Sequence, residues 1–182
     1  MRTTLTIVAV VAAALCVAAA EPASAPAGAD NIVIATNTRD GSSVFRVSLK
    51  IIRVTGDTVD TGNAAVAVGA DCSGCQTVAI ALEGVLVFGE PQVFTPTNLA
   101  IAINIGCDNC ETLASAYQDV LQTGGPVHFT ATGNRLLADI RGELQRLRHS
   151  DLSVWELQAR AEELANALAY VLDTQIVPSG NR

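Results

Sequence analysis

NAAVAVGADCSGCQTVAIALEGVLVFGEPQVFTPT, residues 63–97, runs without a gap into NLAIAINIGCDNCETLASAYQDVLQTGGPVHFTAT, residues 98–132. Set one above the other, the two stretches agree at 15 of 35 positions. The matches include Asn63/Asn98, Ala65/Ala100, Cys72/Cys107, Cys75/Cys110, Thr77/Thr112, Val85/Val120, Pro91/Pro126 and Phe94/Phe129. Agreement at both members of a Cys-x-x-Cys pair is too much for chance, even in an alanine-rich chain. A fixed period of this kind means one supersecondary unit used twice.

Each unit opens with a short strand, 64–68 in the first and 99–103 in the second. The Cys-x-x-Cys follows. Residues 77–88 are then apolar almost throughout, which suits a strand or a buried helix equally. The second copy is more informative. In 111–123, Leu113, Tyr117, Val120 and Leu121 line one face of a helix, with Glu111, Ser115, Gln118, Asp119 and Gln122 on the other. The spacing therefore predicts a helix in both copies, ended by Gly89-x-Pro91 and Gly124-x-Pro126. A strand carrying Phe-Thr-x-Thr closes each unit. The expected repeat is strand, Cys-x-x-Cys, helix, strand.

Upstream, 31–38 and 44–55 are strand-like, and Asp40-Gly41 between them is a hairpin signal. In the second strand Phe45, Val47, Leu49 and Ile51 share one face. Ile52 and Val54 fall on the other, so its far end is expected to be covered on both sides. A polar turn, 56–62, leads into the repeats. Its Asp57 and Asp60 lack the ligand spacing of a calcium loop and read as turn formers.

Downstream, Leu137, Ile140, Leu144 and Leu147 form one apolar stripe, and Val154, Leu157, Ala161, Leu164, Leu168 and Val171 form another. Ser153 and Glu156 make a capping box. Two such stripes joined by 149–152 predict an antiparallel helical hairpin with facing seams. Trp155 and Tyr170 lie off the seam and are expected to pack the hairpin onto the sheet. The fold class is α+β: a small sheet from an N-terminal hairpin and two strand–Cys-x-x-Cys–helix–strand repeats, with a C-terminal helical hairpin.

The chain of 182 residues divides accordingly. Residues 1–20 read as a signal peptide, with Arg2 ahead of an unbroken apolar run and small residues at 18–20. That run is short for a spanning helix, and Cys16 is removed with it. Residues 21–30 form a flexible tether, 31–132 the sheet and repeats, 133–174 the helical hairpin and 175–182 a frayed tail. The body is long enough to bury a core. A net charge of −7, with Lys50 the single lysine, leaves no basic patch for nucleic acid or anionic lipid.

Four cysteines remain, spaced C-x2-C-x31-C-x2-C. In an oxidising compartment the leading reading is two local disulfides, Cys72–Cys75 and Cys107–Cys110. Bridges between the repeats stay open, because four cysteines allow three pairings. A four-cysteine zinc site stays open too, although the 31-residue gap exceeds the usual ribbon spacing. Redox catalysis is the enzymatic alternative, since a Cys-x-x-Cys at a helix N-terminus stabilises a thiolate. Against it, the inner pairs differ, Ser73-Gly74 and Asp108-Asn109. His128 and His149 have no positioned acid or serine, so no triad is read. No cofactor, metal site or catalytic residue is assigned.

The text of 63–81, 95–104 and 107–118 resembles the extracytoplasmic C-terminal region of actinobacterial peptide zinc metalloprotease proteins. The similarity runs over about residues 30–172. The protease part of that family rests on a His-Glu-x-x-His helix, and the motif is missing from this chain. What the resemblance implies is export and an accessory or interaction role. The expected function is an exported, non-catalytic, disulfide-stapled module that binds another protein, such as an envelope protein, or a cell-envelope component. A thiol–disulfide oxidoreductase using the Cys-x-x-Cys motifs is the alternative.

Overall fold

The computed structural model describes residues 30–180. The expected signal segment, Cys16 and the expected tether up to residue 29 lie outside the described residues. Six strands come first: β1 (Asn31–Asn37), β2 (Ser43–Thr55), β3 (Thr58–Ala70), β4 (Gln76–Phe88), β5 (Val93–Ile105) and β6 (Glu111–Thr123). They form two three-stranded sheets, β1-β3-β5 and β2-β4-β6, and every pairing is parallel. The chain thus crosses from one sheet to the other at each turn and returns one rung higher. Three flat coils result, stacked as a short two-sheet solenoid.

The repeat period is the register of this stack. Asn63 lies beside Asn98 and Gln76 beside Glu111, each 35 residues on. The predicted helices over 77–88 and 111–123 are strands β4 and β6. Period two explains both better than period 3.6. In β4 small residues, Ala79 and Ala81, face the other sheet, while Val78, Ile80 and Leu82 face away. In β6, Leu113, Tyr117 and Leu121 face the same way as that large set, whereas Val120 joins the layer between the sheets. The parallel ladder of each strand with its copy decides the matter. Buried on both faces, a parallel central strand such as β4 shows no polar alternation to read.

The predicted N-terminal hairpin is also corrected. Asp40-Gly41 does turn the chain, with Gly41 at φ 60°. It turns it between sheets, so β1 pairs with β3 and β2 with β4. Likewise Gly89-x-Pro91 makes the turn between coils. Phe94-Thr95-x-Thr97 opens strand β5 rather than closing a unit.

The helical hairpin is as expected. After β7 (Val127–Phe129) come α1 (Ala131–Leu147) and α2 (Val154–Thr174). Thr130 caps α1 by accepting from the Gly133 N–H, and the Ser153–Glu156 capping box opens α2. Leu137, Ile140, Leu144 and Leu147 meet Leu157, Ala161, Leu164, Leu168 and Val171 in one core with Val78, Ile80, Leu82 and Leu86. Phe45, Val47, Leu49 and Ile51 join from β2. Gly84 permits the close approach: a Cβ there would stand 3.0 Å from Leu172 Cδ1 and 2.9 Å from Ile51 Cδ1. Gln158 ties α2 to β6, donating to Tyr117 Oη and accepting from Ser115 Oγ.

The tail does not fray throughout. Strand β8 (Ile176–Pro178) pairs antiparallel with β7. Trp155 is not a packing residue either: it is 81% exposed, and Tyr170 is exposed as well. Among the described residues no helix is long and apolar enough to cross a membrane.

Between the sheets lies a layer of alanines and branched aliphatic residues crossed by polar rows. Val33, Ala35, Ala65, Ala67, Ala79 and Ala81 fill one part of it, and Ile52, Val54, Val59, Val85 and Val87 another. Ile52 and Val54 thus face the inter-sheet layer, while Arg53 and Thr55 on the opposite face are exposed, so the far end of β2 is covered on one side rather than both. Three asparagines form a ladder through the layer. Asn31 donates to Asn63 Oδ1 at 2.9 Å, and Asn63 donates to Asn98 Oδ1 at 2.8 Å. Their amides also reach across to carbonyls of the other sheet: Leu82 from Asn31, Ala81 and Tyr117 from Asn63, Ala116 from Asn98.

One row of this layer is charged. Lys50, Glu83 and Gln118 are register neighbours, and Gln118 Nε2 donates to Glu83 Oε2 at 2.7 Å. Glu83 Oε1 has no hydrogen-bond partner among the described residues. Burial pushes the Glu83 carboxyl above its ordinary range, with the Gln118 hydrogen bond and Lys50 opposing and Asp30 assisting. A carboxyl raised in the folded state favours folding when protonated. That contribution is present below the unfolded pKa, about 4.3, and is lost as pH rises through the folded value. Glu83→Gln is therefore expected to gain about 1–2 kcal/mol at pH 7, the cost of a poorly satisfied buried group. Urea melts at pH 7 and pH 4 check this: the gain should shrink at the lower pH.

Candidate functional site

The four cysteines sit on the turns that join the sheets. Residues 71–75 lead from β3 into β4, and 106–110 lead from β5 into β6. Because the strands on either side are in register, the turns stack as well. Asp71 N–H donates to Ile105 O, Gly74 N–H to Asp108 O, and Glu111 N–H to Cys75 O, all within 2.8–2.9 Å. Each turn needs two left-handed residues. Asp71 and Gly106 fill the first place, at φ 50° and 60°, and Gly74 and Asn109 the second, at 62° and 53°. Glycine, asparagine and aspartate are the residues that visit this region most readily. The differing inner pairs, Ser73-Gly74 and Asp108-Asn109, are therefore two solutions to one backbone requirement.

Stacked turns bring all four sulfurs together. Cys72 and Cys75 are at bonding distance, Sγ–Sγ 2.15 Å. Cys107 and Cys110 are free thiols, so the second expected bridge is not formed in this structure. Cys72 Sγ lies 3.7 Å from both Cys107 Sγ and Cys110 Sγ, and Cys75 Sγ lies 2.7 Å from Cys110 Sγ. All four lie within 4.8 Å of one another. Cys72 and Cys75 are buried, whereas Cys107 and Cys110 are half-buried at the last coil.

The surroundings are built to leave this space. Asn37, Gly69 and Asn104 share a row across β1, β3 and β5. A Cβ on Gly69 would stand 2.6 Å from Asn104 Oδ1 and 3.6 Å from Cys107 Sγ. Asn104 Oδ1 accepts from the Thr112 hydroxyl, and its amide donates to Cys110 O. The first coil's turn carries no cysteine. There Asp40 Oδ1 accepts from Ser73 N–H, and Ser42 O accepts from Gln76 N–H.

Thiolate chemistry has less support than the sequence suggests. The segments after Cys75 and Cys110 are strands, so no helix dipole acts on either sulfur. Burial pushes the Cys110 thiol up, a backbone hydrogen bond at Cys75 pulls it down, and Cys107 and Asp108 push it further up. His128 is on β7, its Nδ1 3.4 Å from Ser179 Oγ, and His149 is in the interhelical turn. Neither belongs to the cysteine cluster.

Sequence reasoning missed Gly69, Asn104 and the asparagine ladder. The ladder did leave a trace, the identity of Asn63 and Asn98 in the repeat. A second feature was not legible at all: among the described residues no helix packs on the outer face of β1-β3-β5. Ile32 is 59% and Ile34 51% exposed there, with Leu99 and Ile105 also exposed. Val66, Val68 and Ile101 fill in between them.

Fold and cluster together define the class: a short parallel two-sheet solenoid with cysteine-bearing turns, covered on one side by a helical hairpin. No protein-family model, no curated protein and no solved structure matches the chain.

Proposed function

We propose that the protein is an exported, non-catalytic binding module whose outer β1-β3-β5 sheet face, uncovered by helix among the described residues, receives an envelope protein. The observation that carries this is the asymmetry of the solenoid. One outer face is packed under α1 and α2, and the other presents exposed Ile32, Ile34, Leu99 and Ile105 around Val66 and Ile101. Val66 and Val68 at the centre of that face are buried, and the exposed isoleucines and leucine around them form an apolar rim of the kind that marks an interaction surface. The β strands that form it carry no lysine or arginine, since β1, β3 and β5 contain neither. Anionic headgroups would have nothing to bind, so the occupant is a protein with a flat apolar patch. The apolar run at 7–20 supports export, as does the resemblance at 63–118. The cysteine turns hold the end of the sheet stack rather than perform chemistry.

The test places a photo-crosslinking residue at Ile34 or at Trp155 of the protein expressed in its native envelope. A discrete protein adduct from position 34, absent from position 155 and lost in Leu99→Asp, is the expected result. An adduct with a second copy of this chain, a lipid adduct, or equal labelling from both positions would overturn the reading.

A further inference from the structure

Cys72, Cys75, Cys107 and Cys110 are more than two adjacent staples. We propose that in the reduced protein they form a single closed tetrathiolate site for a zinc-class divalent cation. The inference goes beyond the binding-face reading and does not depend on it.

The first argument is convergence. Two disulfides within separate turns require only local contacts and leave each pair free to point anywhere. Here the turns stack so that all four sulfurs occupy one volume, within 4.8 Å. Zinc binds cysteine sulfur at about 2.3 Å in a tetrahedron, which puts neighbouring sulfurs about 3.8 Å apart. Cys72 already stands 3.7 Å from both Cys107 and Cys110.

The second argument is topology. In the sequence, 31 residues between the two Cys-x-x-Cys pairs are too many for a zinc ribbon. In the fold, those residues are one complete circuit, out along β4 and back along β5. The circuit sets the second turn on top of the first, so the long gap becomes the device that assembles the site. The third argument is number. A third turn stacks beneath these two, and it offers Asp40 and Ser42 where further cysteines would have been surplus. Two turns give four ligands, which is a full structural shell. Gly69 keeps the space beside Cys107 clear.

The chemistry balances simply. Opening the Cys72–Cys75 bond takes two electrons and two protons from a dithiol reductant, which is itself oxidised to a disulfide. Four thiols then bind one divalent cation and release four protons, leaving a centre of charge −2. Such a centre joins the last two coils across their turns, where a disulfide within one turn joins nothing between coils.

Cobalt(II) is the probe. The full chain, with Cys16→Ser so that no fifth thiol competes, is reduced with a dithiol, desalted without oxygen and titrated. The expected result is one equivalent bound, with the thiolate charge-transfer band and the visible bands of a tetrahedral four-sulfur site, displaced by one equivalent of zinc. Cys107→Ser should weaken binding more than about 100-fold, since even outer-shell partners cost 10–100-fold. Cys107→His guards against a folding defect: it should restore one equivalent with a three-sulfur spectrum. Circular dichroism of each variant accompanies the titration. A missing charge-transfer band in folded, reduced protein would overturn the proposal. So would half an equivalent shared between two chains, or an unchanged spectrum in the Cys107→Ser, Cys110→Ser double variant.

Discussion

Leu168→Ala is expected to lower the unfolding free energy by about 2–5 kcal/mol, the range for a buried leucine that leaves a cavity. Leu168 is 2% exposed and lies on the seam of α2, in the core that holds both helices against Val78, Ile80, Leu82 and Leu86. It therefore serves two interfaces at once, helix to helix and helix to sheet. Neither can relax into the gap without disturbing the other. Chemical denaturation followed by circular dichroism measures the change. Trp155→Ala is the matched control on the same helix, since its ring is in solvent; it should shift stability by no more than about 0.5 kcal/mol. An equal loss in both variants would mean that α2 is not seated on the sheet as described.

Asn63→Ala should cost about 2–4 kcal/mol, although asparagine is a small polar residue in the middle of a strand. Asn63 is the central rung of the ladder. Its loss removes the acceptor for Asn31 and the donor to Asn98, and leaves the carbonyls of Ala81 and Tyr117 without its amide. Each orphaned buried group carries about 1–3 kcal/mol, and partial relaxation offsets some of the total. Asn98→Ala tests the position dependence. Asn98 lies at the open end of the stack, where water can replace what is lost, so its truncation should cost about 1 kcal/mol. A ladder worth the same at both rungs would contradict the buried, between-sheet placement.

These two residues mark what the sequence allows a reader to see. Leu168 was visible because an amphipathic helix repeats its apolar positions along one edge, whatever it packs against. The helical hairpin, its capping box and both seams are local in this sense. So is the phase of β2, with Phe45 to Ile51 on one face and Ile52 and Val54 enclosed on the other. Asn63 was visible only as an identity between repeats, with no indication of its partners. Its hydrogen bonds run 35 residues forward and 32 back, to rungs that exist only once the coils are stacked.

Strands β4 and β6 show the same limit from the other side. Leu113, Tyr117, Val120 and Leu121 satisfy a helical pattern, and nothing within 111–123 rejects it. What rejects it is the neighbouring copy: an in-register parallel ladder pairs the strand with β4 along all 13 residues. The helix reading also carried the argument for an activated thiolate. Once β4 and β6 are strands, the turns that carry the cysteines become stacked corners, and the sulfurs of both copies share one place. Asp40-Gly41 misled for a related reason. A tight turn between two strands reads as a hairpin, while here it joins strands that face each other across the inter-sheet layer.

The offset of 35 residues between one rung and the next has a bearing on how such a chain can change in length. Every strand in the last two coils is bonded to the residue 35 places away, and each face alternates with period two. An insertion of one residue within a strand would turn its small inner side chains outward and its large outer ones into a layer built for alanine. A whole coil brings its own strands, turn and asparagine, and presents to its neighbours the same edges it displaces. Length in this molecule is consequently discrete: it can grow or shrink by complete circuits between the first coil and the last, while the helices hold to the side of the stack.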